Sequence, residues 1–382
     1  MPELAFVPDF PETEFVQRLE RAQRAMMAAN IDALLVTTEA ELRYFSGFRT
    51  LFWQSATRPW FLIVPAHGKP VAVIPEIGAA LMRATWLDDV RTWPSPHATD
   101  DGITLLVEAL RGVVHIGMSM GRASALRMPL RDFERLRDAL PGVEWIDASL
   151  IIRDLRMVKS EAEIEKIRAI CAIGSAAFAR AGALFHEGQP LDDVFRAFKT
   201  ELLRQGAEDV PYLVGGAGPD GYTDVISPPS QSPLQRGDVL MLDTGATRHG
   251  YFCDFDRNFA IGPPGDAAQR AYDVLWRATE AGLAAARPGV TCAAVYQAMS
   301  DVIGQGSGDV GRLGHALGSE LTEEPSLISW DQTVLEPGMV MTLEPSMTVT
   351  GEAIMVHEEN IVIRDGCPEL LTVRASEVLP VL

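Results

Sequence analysis

The sequence has few cysteines and a shortage of positive charge. Its four cysteines, Cys171, Cys253, Cys292 and Cys367, are scattered and form no C-x-x-C pair. This spacing excludes a zinc knuckle and a disulfide framework, so we expect buried thiols in a reducing cytoplasm. Lys and Arg number 33 against 52 Asp and Glu, a formal net charge of −19. That balance argues against a nucleic-acid partner and against docking on anionic lipid.

Long apolar runs are also missing. No stretch approaches the ~18 consecutive apolar residues of a membrane span, so no membrane partner is expected. The first ten residues lack a basic start followed by an apolar run, so we expect no secretory signal and a cytoplasmic location. The apolar fraction of 47% is that of a globular protein, and 382 residues favour two or three domains.

Helical and extended patterns alternate in the first half of the chain. The alternation predicts an α/β domain with helices packed on a sheet. Helices are predicted near residues 13–30, 78–86 and 103–110, and strands near 31–36, 60–65, 71–74 and 113–118.

A helix start marks the boundary between two domains. Ser160 and Glu163 have the spacing of a capping box and open a long helix, so we divide the chain into residues 1–157 and 158–382. The second domain mixes both element types. Helices are predicted at 160–185, 190–205, 266–286 and 291–303, and strands at 239–243, 251–261, 339–347 and 353–363.

Acidic residues interrupt the predicted strands of the second domain. Asp243 ends one apolar strand, and Asp254 and Asp256 would share one face of the next, where like charges repel unless a cation or an arginine intervenes. Glu344 and Glu358 lie within two further apolar strands. Alone, each has an ordinary interpretation as a turn cap or a solvated edge charge.

Glycines lie on both sides of His315, one of the histidines of the same domain, and would let backbone approach it closely. A lone histidine is usually structural, but buried carboxylates are rare unless they are paired or bound to metal. Strand carboxylates with one imidazole and no thiolate suit Mn²⁺, Fe²⁺, Co²⁺ or Zn²⁺.

These motifs resemble the pita-bread superfamily of aminopeptidase P, prolidase, methionine aminopeptidase and creatinase, over essentially the whole chain. Residues 18–48 are similar to a creatinase-type N-terminal domain, and residues 155–164 are similar to its junction with a catalytic domain. The resemblance implies an α/β creatinase-type N-terminal domain followed by an α+β pita-bread catalytic domain. It implies a site for two divalent ions, with Mn²⁺ preferred, whose ligands are Asp243, Asp254, His315, Glu344 and Glu358.

The resemblance also implies roles for these residues. Asp243 would chelate one ion, Asp254 and Glu358 would bridge both, and His315 with Glu344 would complete the other. In peptidase members a hydroxide that bridges the ions attacks the carbonyl carbon, while Glu344 moves the proton as general base and acid. A metal ion and an imidazole stabilise the oxyanion.

The sequence departs from the Xaa-Pro peptidase pattern outside the ligands. No histidine occurs between His186 and His249, and Thr322 stands where a histidine is usual seven residues after His315. Val356 replaces the usual arginine two residues before the last ligand. The residues that orient substrate and oxyanion are therefore different here.

Three functions follow as hypotheses. The first is a two-metal hydrolase of the Xaa-Pro aminopeptidase or prolidase type. The second is a metal-dependent lyase or C–N hydrolase acting on a small zwitterion, as in dimethylsulfoniopropionate lyases. In that case Glu323, Asp256 or His357 is a candidate acid/base, although His357 should point away from Glu358. The third is a non-catalytic binding module, which the presence of all five ligands opposes.

The creatinase-type N-terminal domain implies a homodimer in which this domain narrows the partner's active site to small substrates. Trp53, Arg58 and Trp60 follow the N-terminal motif. Trp53 and Arg58, together with Thr322, are candidate contacts for a small peptide or other carboxylate-bearing substrate. Ordinary packing at the interface is the alternative for the N-terminal pair.

Overall fold

A computed structural model describes residues 9–55, 57–226, 228–304 and 311–382. The chain divides into two compact units between Arg156 and Met157. None of the described helices combines the length and the apolar character that crossing a lipid bilayer requires.

The N-terminal unit alternates helices with short strands. Its elements are α1 (Glu12–Ala28), β1 (Ala33–Val36), α2 (Glu39–Ser46), a 3₁₀ turn (Leu51–Gln54), β2 (Phe61–Pro65), β3 (Val71–Pro75), a 3₁₀ turn (Glu76–Gly78), α3 (Ala79–Met82), β4 (Asp89–Trp93), α4 (Ile103–Ala109), β5 (His115–Met118), α5 (Leu130–Ala139), β6 (Glu144–Asp147) and α6 (Ser149–Met157).

The strands of this unit form one mixed sheet in the order β4-β3-β2-β1-β5-β6. All four residues of the central strand β1 are buried, because both faces of the sheet are covered. Successive side chains point to opposite faces. Leu34 and Val36 accordingly join one apolar cluster, and Ala33 and Leu35 join another.

The C-terminal unit carries long helices and bent strands. Its elements are α7 (Glu161–Phe178), α8 (Ala181–Leu184), α9 (Leu191–Gln205), β7 (Asp209–Pro219), β8 (Asp238–Arg248), β9 (Tyr251–Phe252), β10 (Phe255–Ala260), α10 (Asp266–Ala285), α11 (Cys292–Ile303), β11 (His315–Ala316), β12 (Glu323–Ser326), β13 (Val340–Leu343), β14 (Ser346–Thr350), β15 (Ala353–Val356), β16 (Glu359–Val362) and β17 (Glu369–Leu370).

Two sheets and a hairpin make up the strands of this unit. One sheet has the order β10-β8-β7, with β9 paired to β8, and the other has the order β12-β11-β13-β16-β17. Strands β14 and β15 form a separate hairpin. Apolar residues of α10 and α11 pack against β13 and β16 in one core, and α10 also packs on residues of β8 and β10 in another.

The predicted strands of the second domain are broken where the sequence suggested continuity. The block at 251–261 is two strands, because Cys253 bonds back to Ala246 and the amide of Asp254 bonds to the Asn360 side chain. The blocks at 339–347 and 353–363 also break, as the chain leaves the five-stranded sheet for the β14–β15 hairpin and returns. Strands β4, β6, β7, β11, β12 and β17 and helices α2, α5 and α6 were not anticipated.

The capping box at the start of α7 provides a test of local stability. The Ser160 hydroxyl accepts from the Glu163 amide at 3.3 Å, and the Glu163 carboxylate accepts from the Ser160 amide at 2.9 Å. We expect Ser160→Ala to lower the free energy of unfolding by about 1 kcal/mol, since a helix amide loses its acceptor. Urea unfolding followed by circular dichroism measures it.

The matched control for Ser160→Ala is Thr200→Ala in the exposed interior of α9. Its hydroxyl bonds only to the Arg196 carbonyl of the same helix. We expect a change within about 0.5 kcal/mol. Equal losses in both variants would contradict a capping role for Ser160.

Candidate metal centre

Three buried side chains converge in the C-terminal unit. Asp254 follows β9, His315 begins β11, and Glu358 precedes β16. One ligand atom of each lies within 4.8 Å of the others, and all three residues are at most 4% exposed. This spacing brings an imidazole and two carboxylates to a common point, where they can share a cation.

Gly314, next to His315, allows two strands of the site to pack closely. Gly314 has a φ of +139°, and a Cβ there would lie 2.3 Å from the Thr342 carbonyl oxygen. Only a residue without a side chain allows β11 to approach β13 so closely. The amide of His315 also donates to the Thr342 hydroxyl at 3.1 Å, which fixes the imidazole over the cluster.

The protonation of His315 favours a cation in this cluster. Nδ1 lies 2.9 Å from the Ala316 carbonyl oxygen, which can only accept, so Nδ1 carries the proton. Burial lowers the pKa of His315, which leaves the ring neutral with a lone pair on Nε2. That nitrogen lies 3.3 Å from the Asp254 carboxylate. Two electron-rich atoms face each other, as metal ligands do.

Asp243 and Glu344 are half-buried and complete the acidic group. Asp243 lies on β8 opposite Asp256 of β10, so the two side chains share one face of the sheet. Glu344 lies at the break after β13, where its amide donates to Leu313. Burial raises the pKa of Asp243, and the charges of Asp254 and Glu344 raise it further.

The donor set fits divalent cations. Burial and the neighbouring carboxylates raise the pKa of Glu358 well above its usual range. Among the residues that the structure describes, Oδ1 of Asp243 and Oε1 of Glu358 are buried without a hydrogen-bond partner. Gathered carboxylates with unpaired oxygens are unfavourable unless positive charge lies between them. A cluster of oxygens with one imidazole nitrogen suits such ions.

Two residues that were not among the predicted site residues hold the ligands in place. The Asn360 side chain accepts from the Asp254 amide at 3.0 Å and donates to the Asp254 carbonyl oxygen, so both backbone polar groups of Asp254 are fixed. Arg257 donates to the carbonyl oxygens of Asp256 and Glu358 at 2.6 and 2.9 Å and pairs with the Glu359 carboxylate. The only sequence signal was their polar character within apolar strands.

Asp256 lies beside the ligands on a second polar chain. Its Oδ2 accepts from Asn258 at 2.8 Å, and the Asn258 oxygen faces the Tyr222 hydroxyl at 3.3 Å. Its Oδ1 is buried without a described partner. Burial raises the pKa of Asp256 well above its usual range, while Arg257 opposes the rise. An acid/base role for Asp256 stays a prediction.

Glu323, a candidate acid/base, is buried and holds a turn in place. Its carboxylate lies 2.9 Å from Lys159 Nζ and accepts from the amides of Ser319 and Glu320 at 3.0 and 3.2 Å. Every oxygen is therefore engaged in holding the turn between β11 and β12. Its catalytic role stays a prediction, and the neighbouring Thr322 is exposed.

The other predicted residues have packing partners of their own. His357 lies between Thr279 at 3.0 Å and Arg374 at 3.3 Å, and burial lowers its pKa to about 3. It therefore faces away from Glu358, as strand alternation suggested. In the N-terminal unit Trp53 is buried under Arg127, and Arg58 stacks on Phe52. Substrate contact by Trp53 and Arg58 stays a prediction.

Fold and site together define a two-domain metallopeptidase with a buried acidic centre. The sequence matches the creatinase/prolidase N-terminal domain over residues 18–158 and metallopeptidase family M24 over residues 165–365. The chain therefore belongs to metallopeptidase family M24. The expected pita-bread class, its N-terminal domain type and its assignment as a metal-dependent hydrolase are confirmed.

Relatives match the chain along nearly its full length. The protein named "Probable dipeptidase PepE" from Mycobacterium tuberculosis is 30% identical over 379 residues, covering 96% of this chain and 99% of the relative. The Xaa-Pro dipeptidase of Pyrococcus furiosus is 29% identical, covering 95% and 99%. The crystal structure of dipeptidase PepE from Mycobacterium ulcerans superposes with a TM-score of 0.84 at 29% identity, covering 97% and 99%.

Removal of one central carboxylate tests the site. We expect Asp254→Asn to abolish tight binding of Mn²⁺ and to lower activity by more than the roughly 10- to 100-fold typical of supporting residues. Elemental analysis after dialysis and an activity assay measure the two effects. The control is Asp273→Asn on the exposed face of α10, where the carboxylate pairs with Arg277. Full metal content in Asp254→Asn would contradict the assignment.

The raised carboxyl pKa values predict a pH-dependent effect of metal on stability. Asp243, Asp254 and Glu358 have raised pKa values in the metal-free fold, because of burial first and mutual repulsion second. Their protonation stabilises that fold below the unfolded pKa of about 4, and this stability is lost as pH rises through the folded pKa.

The stabilisation by added Mn²⁺ should therefore grow as pH rises from 5 to 8. Thermal unfolding with chelator and with excess Mn²⁺ measures the difference in Tm at each pH. We expect a smaller difference at every pH in Asp254→Asn. A wild-type difference that stays constant with pH would contradict the electrostatic account.

Proposed function

We propose that this protein is a two-metal dipeptidase that hydrolyses small peptides of the Xaa-Pro type. The observation that carries the proposal is the buried group of Asp254, His315 and Glu358, next to the half-buried carboxylates of Asp243 and Glu344. Together they combine four carboxylates with a neutral imidazole. The dipeptidase names of the full-length relatives support the same substrate class.

The cations would be held by these five side chains, with Asp254 and Glu358 central. Bound there, two divalent ions would acidify a water molecule and polarise the substrate carbonyl. Glu344 is half-buried, and burial raises its pKa, so it is suited to accept a proton from water and deliver it to the departing amine. Asn360 and Arg257 keep the acidic groups oriented during this exchange.

We further propose Mn²⁺ as the native ion, a homodimer as the assembly and the cytoplasm as the location. The oxygen-rich donor set supports Mn²⁺. The creatinase/prolidase N-terminal domain supports the homodimer. The four cysteines are unpaired, which supports a reducing compartment.

The test is proline release from Xaa-Pro dipeptides and tripeptides by protein stripped with chelator and reloaded with Mn²⁺. We expect release that depends on metal and is lost in Glu344→Gln, because the proton carrier is removed while the side-chain shape is kept. The matched control is Glu280→Gln on α10, an exposed carboxylate that pairs with Arg374.

No release from protein that demonstrably holds metal would contradict the peptidase proposal. The alternative, a lyase or C–N hydrolase acting on a small zwitterion, would then be tested with dimethylsulfoniopropionate and small N-acylated compounds. This alternative is supported by the exposed Thr322, which occupies the position where Xaa-Pro peptidases usually have a histidine.

A further inference from the structure

The turn between β11 and β12 is held against the sheet that carries Asp243. Glu323 fixes the turn through Lys159 and the amides of Ser319 and Glu320. A Cβ on Gly245 of β8 would lie 2.3 Å from the Leu321 side chain, so Leu321 packs directly on this strand. Thr322 follows Leu321, so the turn lies beside the strand that carries Asp243, and the Thr322 side chain is exposed.

Arg312 reaches the turn at Thr322 from the other end of β11. Its neighbour Leu313 pairs with Leu327, whereas Ala316 pairs with Glu323, about 10 Å farther along the strand. Nη2 of Arg312 nevertheless donates to the Thr322 hydroxyl at 3.4 Å. The Arg312 side chain therefore spans the distance from the start of β11 to the turn.

The guanidinium of Arg312 is close to the acidic centre but is not neutralised by it. Its positive charge acts on both Asp254 and Glu344, so the guanidinium lies near these two carboxylates. Within the described part of the chain, no carboxylate lies within the 4.0 Å of an ion pair with Arg312. Arg257, by contrast, is fully occupied by Glu359 and backbone carbonyls.

The balance of charge around the acidic centre shows which kind of ligand the Arg312 guanidinium is suited to bind. Two divalent ions would cancel the four carboxylates of Asp243, Asp254, Glu344 and Glu358. The half-buried Arg312 then adds one positive charge at the solvent side of the centre. An arginine fork binds a carboxylate with two parallel hydrogen bonds, and an adjacent hydroxyl can add a third.

We propose that Arg312, together with Thr322, binds the free carboxylate of the substrate and so restricts the enzyme to dipeptides and similar small acids. The proposal rests on the dipeptidase function proposed above. It gives a physical reason for the loss of the imidazole at position 322, because a small hydroxyl leaves room for the arginine to reach the turn.

The experiment uses two ligands that cannot be cleaved. One is the analogue of Gly-Pro in which CH2 replaces the scissile carbonyl, and the other is its C-terminal carboxamide. Calorimetric titration of the Mn²⁺-loaded protein should show that the wild type binds the acid about 10- to 100-fold more tightly than the amide. Arg312→Gln should lose this preference and bind the amide as the wild type does.

Further variants separate charge from geometry. Arg312→Lys should retain part of the preference, because it keeps the charge without the fork. Thr322→Val should lose about 2- to 10-fold in affinity for the acid. The control is Arg204→Gln, an arginine on α9 paired with Glu201, which should keep the full preference.

Equal binding of acid and amide by the wild type, binding of neither, or an unchanged preference in Arg312→Gln would overturn the proposal. Hydrolysis of Gly-Pro by the wild type is measured separately. If the wild type cleaves Gly-Pro and Arg312→Gln still prefers the acid to the amide, only the role of Arg312 is refuted. If Arg312→Gln loses the preference for the acid but the wild type does not cleave Gly-Pro, the carboxylate site is supported and the dipeptidase function is refuted.

Discussion

Repulsion among buried carboxylates is the constraint on which the rest of the catalytic unit depends. Asp243, Asp254, Glu344 and Glu358 meet beside a neutral imidazole, and burial raises the pKa of each. Without cations this arrangement disfavours the charged forms, so folding and ion binding are coupled. The surrounding structure must then hold the acids together at the pH where the ions bind.

That support comes from side chains that bind backbone rather than the ligand atoms themselves. Arg257 ties together the carbonyl oxygens of Asp256 and Glu358, and Asn360 fixes the peptide of Asp254. Because these contacts leave the carboxylate oxygens unoccupied, the ligands are oriented while their lone pairs stay available. Supporting polar contacts of this kind orient the ligands and so tune the metal site.

The positions of the ligands explain why polar residues interrupt apolar strands. Asp254, Glu344 and Glu358 each lie at a break between two strands, and at Glu344 and Glu358 the backbone also changes its pairing partner. At such a break a side chain is released from strict alternation and can turn inward. Apolar strands on both sides of each break exclude water, which strengthens electrostatic interactions at the centre.

The residue pattern indicated the capping box of Ser160 and acidic residues in apolar surroundings, because these are local signals. The resemblance of its motifs to a known superfamily implied the two domain types and the five candidate ligands. Neither showed the strand breaks, the Lys159–Glu323 pair or the contact from Arg312 to Thr322. Those features join residues far apart in sequence or at opposite ends of a turn. Only tertiary packing decides which side chains meet, because strand pairing and burial, rather than residue type, determine where each charge lies.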